Sequence, residues 1–164
     1  MQNFAPKGQL SPYAKSWIAW DQISRGEAFL ASAYLLKKSP RGSEESFQSV
    51  HLHLMAQSLE LLLKGSLMLS DAKKYDAAFL KAKFGHDLAK LADEVIKVSN
   101  QNQMSEKLGI ELKELNNWFK FHRLRYSGMH TIFINPFSIE TANIEQRLYS
   151  LLRLLRMLKR SGIA

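Results

Sequence analysis

The chain has 164 residues, 46% of them hydrophobic, and a formal net charge of +8. That length is enough for a single domain, 1–164, with its own core, and the absence of cysteine excludes a disulfide framework, a thiolate nucleophile and a Cys-ligated metal. Met1 to Leu10 lacks the apolar stretch of a secretory signal, and the greasiest run, Leu52 to Leu69, is broken by His53, Gln57, Glu60 and Lys64, so the expectation is a soluble cytoplasmic protein with no transmembrane segment.

Helix signals dominate in chain order. After an N-terminal arm, 1–10, Ser11-Pro12 offers an N-cap hydroxyl followed by proline at the first helical position. Apolar residues Trp17, Ile18, Phe29, Ala33 and Leu36 carry this helix to Lys38. Gly26 inside it costs roughly 1 kcal/mol relative to alanine and invites a bend. Ser39-Pro40-Arg41-Gly42 ends the helix, and Ser43-Glu44-Glu45 opens the next with carboxylates that suit the positive end of its dipole. This second helix, 43–70, is apolar on nearly every side, from Leu52, Leu54 and Met55 to Leu67, Met68 and Leu69, which puts it in the middle of a bundle.

A shorter segment, 72–83, follows, and Gly85-His86-Asp87 breaks and restarts the chain. Leu88, Leu91, Val95 and Ile96 give the next helix a stripe, and Ser99 to Gln103 is a polar loop. A helix over 105–125 then sets Leu108, Leu112, Leu115, Phe119 and His122 four and three apart, with Trp118, Phe121 and Arg125 on one flank. Residues 126–138 read as an irregular loop containing the Asn135-Pro136 turn. The last helix, 139–160, buries Leu148, Leu151, Leu152, Leu155 and Leu158, with Arg153, Arg156 and Arg160 opposite. The fold expected is all-α, an antiparallel up-and-down bundle of four to five helices.

The charge is unevenly spread. Residues 1–82 hold ten Lys/Arg against seven Asp/Glu, and 83–164 hold thirteen against eight. From Gln146 onward there are five basic residues and no acid. A basic end favours polyanions such as RNA, DNA or an anionic membrane face; a solvated helix face is the competing explanation.

Three local patterns occur in order: Gln57-x-x-Glu60-x-x-x-Lys64, Gly85-His86-Asp87-Leu88-x-x-Leu91, and Arg125-x4-His130, or Arg123-x6-His130. Together, over about 45–132, they resemble the HEPN superfamily of small helical domains. The resemblance implies a four- or five-helix domain that pairs as a homodimer. In active members the Arg and His of both subunits meet at the interface as a metal-independent endoribonuclease, and many such members are toxins or defence effectors. Others are silent partners of nucleotidyltransferases or helical binding modules. An antitoxin or a nucleotidyltransferase is the implied partner, and no metal or cofactor is implied. Catalytic members carry Asn, Asp or His directly after the arginine, where this chain has Tyr126 or, after Arg123, Leu124.

RNA supplies its own nucleophile, the 2′-hydroxyl. Cleavage needs a base for that proton, an acid for the leaving 5′-oxygen, and positive charge for the pentacovalent phosphorus. His130 is the candidate acid or base, since imidazole titrates near neutral pH, and Arg125 is the candidate phosphate clamp through its planar fork. Arg123, Tyr126 and Trp118 are the further candidates for phosphate or RNA contact, Trp118 by stacking on an unpaired base or, alternatively, as core. On a continuous helix Arg125 and His130 would sit about 140° apart, and Arg123 and His130 about 10 Å along the axis, so convergence requires an irregular backbone or a second subunit. The alternative, ordinary surface or interface residues, stays open. Glu60, Lys64, His86 and Asp87 form a separate set, expected as a structural polar network in which Asp87 or His86 caps a helix.

Overall fold

A computed structural model describes residues 12–42, 44–99, 106–120 and 141–161. These residues form six helices and no strand: α1 (Pro12–Lys38), α2 (Glu45–Ser70), α3 (Ala77–Phe84), α4 (Leu88–Ser99), α5 (Glu106–Phe119) and α6 (Ala142–Ser161). The all-helical expectation holds for them. No helix among the described residues is long and apolar enough to cross a membrane.

The central element is α2, which packs against α1, α4, α5 and α6. Its apolar residues point to several sides, and Leu52, Met55, Ala56, Leu62, Leu63, Leu67 and Met68 are all buried. One core cluster joins residues of α2 to Ile23, Leu30 and Ala33 of α1, Leu88 of α4, Leu112, Leu115 and Phe119 of α5, and Ile144, Leu148, Leu152 and Leu155 of α6. A second gathers beneath α3, where Tyr75, Leu80 and Phe84 meet Leu63, Leu67, Leu91 and Ala19.

α1 and α2 pair closely because two glycines face into the seam. A Cβ on Gly65 would stand 2.6 Å from Ile23 Cγ1 and 3.1 Å from the Ala19 carbonyl oxygen. A Cβ on Gly26 would stand 2.9 Å from Leu62 Cγ. Residue 26 thus meets 62 while 23 meets 65, so the two helices run antiparallel. α1 continues unbroken through Gly26 to Lys38, and the missing side chain serves packing. α6 also runs antiparallel to α1: Lys37 reaches Glu145 at 2.7 Å, Arg156 is bonded to Glu27, and Lys159 lies over the Trp20 ring.

The helix ends explain the boundaries. α2 stops at Asp71, whose Oδ1 accepts from the backbone N–H groups of Lys73 and Lys74 at 3.0 and 3.1 Å. That turn displaces the start of α3 from the expected residue 72 to Ala77, where Asp76 caps it by accepting from Phe79 N at 2.7 Å. Gly85 closes α3 at φ +54°, in the region glycine tolerates. The first turn of α6 is capped from another helix. Glu111 of α5, 4% exposed, accepts from Asn143 N, Asn143 Nδ2 and Ile144 N at 3.3, 2.6 and 3.0 Å. A carboxylate at these otherwise orphaned backbone donors also complements the positive end of the helix dipole.

Candidate functional site

The restart between α3 and α4 is where the described residues gather most polar chemistry. Glu60 projects from the apolar middle of α2 and is 4% exposed. Its Oε1 lies 2.5 Å from Lys64 Nζ, one turn further along, and its Oε2 lies 2.9 Å from His86 Nδ1. Lys64 Nζ also donates to the Gly85 carbonyl at 2.7 Å, which ties α2 to the turn that opens α4. The His86 ring stands edge-on to Phe119 of α5, with centroids 5.8 Å apart. The structure therefore brings Glu60, Lys64 and His86 together.

Asp87, next in the chain, is 6% exposed and faces α5. Its Oδ1 accepts from the Lys90 backbone N–H at 3.2 Å, the bond of an N-cap, and from Asn116 Nδ2 at 3.2 Å. Its Oδ2 accepts from Lys120 Nζ at 2.8 Å. The Asn116 amide completes the arrangement, its Oδ1 accepting from Leu88 N at 2.7 Å. Burial pushes the Asp87 carboxyl up, but Lys120, the Lys90 N–H and Asn116 together hold it below the ordinary carboxylate range.

The two groups sit side by side at residues 86 and 87, and each carboxylate is matched by a cation. Lys64 and Lys120 are both bonded to the acid they face. As it stands this is a brace, fixing the start of α4 and the end of α5 to α2. Buried charges this well partnered add geometric definition more than net stability.

Of the residues singled out from the sequence, Arg123, Arg125, Tyr126 and His130 lie outside the described residues, as do the arm 1–10, His122 and the loop 126–138. Lys120, the last described residue before them, belongs to the brace. Trp118, proposed from the sequence as an RNA contact, is only 8% exposed. Burial leaves almost none of its ring for a base, so core packing describes it instead. His51 and His53 diverge, as their two-residue spacing requires: His51 Nδ1 meets the Ala33 carbonyl oxygen at 3.0 Å, whereas His53 stacks obliquely near Phe119. Among the described residues no group of three or more His, Asp or Glu side chains could hold a metal.

Asn116, Lys120 and Glu111 were not anticipated. A signal for two of them exists in the sequence: Glu111 and Asn116 flank the Leu108–Leu112–Leu115–Phe119 stripe on its two sides, and a polar residue buried at the edge of an apolar stripe needs a partner. Their partners are 28 to 33 residues away in the chain, so spacing alone does not identify them. The residues define an all-helical protein with a braced α2–α4–α5 junction. No family model, curated protein or solved structure matches the chain.

Proposed function

We propose that the protein is a HEPN-like antiparallel bundle that pairs as a homodimer, binds RNA or a nucleotide in a basic cleft at the interface, and cleaves RNA there without a metal. In this reading it is a cytoplasmic protein of toxin or defence type whose natural partner is an antitoxin or a nucleotidyltransferase. The observation that supports it is the contact between the first two family-like patterns. Glu60 and Lys64 of the first pattern contact Gly85 and His86 of the second. Asp87 of the second holds Lys120, five residues before Arg125 of the third. The first two patterns therefore meet in space, and the chain leads from their junction at Lys120 into the third, which lies outside the described residues.

The chemistry follows from the groups. One His130 removes the proton of the ribose 2′-hydroxyl, the 2′-oxygen attacks phosphorus, and the phosphorus–O5′ bond breaks. The partner subunit's His130 returns a proton to O5′, giving a 2′,3′-cyclic phosphate and a 5′-hydroxyl end. Arg125, with Arg123 and Tyr126 beside it, holds the non-bridging oxygens as charge accumulates on them. The test is incubation of purified protein with mixed RNA in EDTA, beside His130→Ala and Arg125→Ala. Cleavage that survives EDTA, leaves cyclic phosphate ends, and falls about a hundredfold or more in both variants is the expected result. Intact RNA in all three samples rejects the enzyme.

One observation favours a second reading, a catalytically silent helical interaction module. Between α2, α4, α5 and α6 an apolar hollow of about 230 Å³ is lined by Leu59, Leu63, Val95, Ile96, Leu108 and Leu151 and their neighbours. Ile110 and Leu154, at 53% and 46% exposed, add apolar surface on α5 and α6. A protein that pairs with another helical chain would use such a surface.

A further inference from the structure

The seam between α1 and α6 carries a different kind of surface. Arg153, Arg156 and Arg160 are spaced three and four apart, so they rise along one face of α6. With Tyr149 and Met157 they line one wall of a hollow of about 540 Å³, and Glu27, Leu30 and Ala31 of α1 line the other. Tyr149 is 48% exposed. Glu27 is the single carboxylate in that lining among the described residues, and it is bonded to Arg156. Arg153 and Arg160 have no carboxylate partner among the described residues.

The pattern continues to both ends of the seam. Toward the start of α6 stands Tyr34, 49% exposed, with Lys38 Nζ 5.7 Å from its ring centroid. Lys37 beside it is paired with Glu145 at 2.7 Å. Toward the end of α6, Lys159 Nζ lies 5.2 Å from the Trp20 ring centroid. Cations and aromatic rings thus flank the hollow at both ends of the seam. From Tyr149 to Arg160 α6 rises about 16 Å.

We infer that this seam is a binding track for single-stranded polynucleotide, with Arg153 and Arg160 on backbone phosphates and Tyr149 and Tyr34 as faces for its bases. Each part of that ligand has a counterpart. Guanidinium forks fit non-bridging phosphate oxygens, and phenol rings stack on any base without reading its sequence. Glu27 acts as an internal anion that occupies Arg156 until a phosphate displaces it. A hollow with guanidinium groups and Tyr149 in one wall suits a flexible strand better than a flat bilayer. The inference uses neither Arg125 nor His130, so it stands or falls apart from the proposed cleavage.

The experiment uses a fluorescein-labelled 2′-O-methyl oligouridylate of twenty nucleotides, which lacks the 2′-hydroxyl and cannot be cleaved by the proposed route. Fluorescence anisotropy is followed across a salt series with the full chain. The wild type should bind with log affinity falling linearly against log salt. The Arg153→Gln/Arg160→Gln double variant should bind at least tenfold more weakly at low salt. Its slope should be shallower by about 1.4, since each phosphate neutralised on a single strand contributes about 0.7. Glu27→Gln should bind more tightly. Tyr149→Leu should weaken the oligonucleotide but not inorganic polyphosphate. All four side chains are exposed or partly so, and thermal melts confirm that the variants fold. Wild-type protein that does not bind overturns the inference. So does a double variant with unchanged affinity and slope, or binding to phosphatidylglycerol vesicles that outcompetes the oligonucleotide. Cleavage of unmodified RNA, measured separately with His130→Ala, decides the enzymatic reading alone.

Discussion

Asp87 satisfies a helix start, an amide and an ammonium with one carboxylate, and that makes the fold sensitive to acid at this residue. Burial alone would raise its pKa, but its three donors outweigh burial and hold it below the ordinary value. A carboxylate depressed in the folded state contributes stability that is complete above its unfolded value of about 3.9, and disappears as pH falls through its folded value. Asp87→Asn should therefore be less stable than wild type by about 1–3 kcal/mol at pH 7. The gap should narrow as pH falls below the ordinary carboxylate value of about 3.9 and Asp87 becomes protonated. Urea denaturation midpoints across that fall in pH measure it, and a gap independent of pH would show that charge at Asp87 is irrelevant. The sequence made Glu60, Lys64, His86 and Asp87 visible because their spacing departs from the apolar pattern around them. It did not make their long-range partners visible, because Asn116 and Lys120 are joined to them only by folding.

At the scale of elements, Gly65 and Gly109 offer a direct contrast. Both lie inside helices, where alanine is preferred by about 1 kcal/mol on backbone grounds. A Cβ at Gly109 meets nothing within 4 Å, whereas one at Gly65 strikes Ile23 of α1 at 2.6 Å. Gly109→Ala should stabilise the protein by about 0.4–1 kcal/mol. Gly65→Ala should destabilise it by about 1–3 kcal/mol, the usual range for overpacking. Thermal and urea midpoints of the two variants test the pair, and a stabilising Gly65→Ala would show that the α1–α2 seam can widen freely. The helices themselves were legible from the sequence: α1 follows from its Ser11-Pro12 start and Ser39-Pro40 stop, α4 from its periodicity, and the central position of α2 from its apolar content. The start of α3 was not, because Asp71 and Asp76 divide the connection between a turn and a cap, and either acid could have served as the helix start. The seam glycines were likewise opaque, since a glycine that breaks a helix and one that admits a neighbour look alike in sequence.

For the whole molecule, the proposed function requires two chains. Light scattering coupled to gel filtration should give twice the monomer mass at micromolar concentration. That mass should hold from low to high salt if the interface core is apolar, as about 65% of homodimer interface area typically is. A strictly monomeric protein would remove the shared cleft and with it the cleavage mechanism, while leaving the α1–α6 track untouched. The overall charge of +8 and the basic last helix were plain from the sequence, but which cations are matched by acids was not. Some cations are consumed by internal acids, as Lys64 and Lys120 are. Others, such as Arg153 and Arg160, are exposed and have no carboxylate partner among the described residues.

Glu111 has a consequence beyond the cap it provides. Because the first turn of α6 is completed by a side chain of α5, 32 and 33 residues earlier, α6 excised as a peptide would begin with bare amides and fray. The same carboxylate behaves as a latch. Swinging α6 away from the bundle would strand a dehydrated anion on one side and unmet donors on the other, so the two helices are expected to open together or not at all.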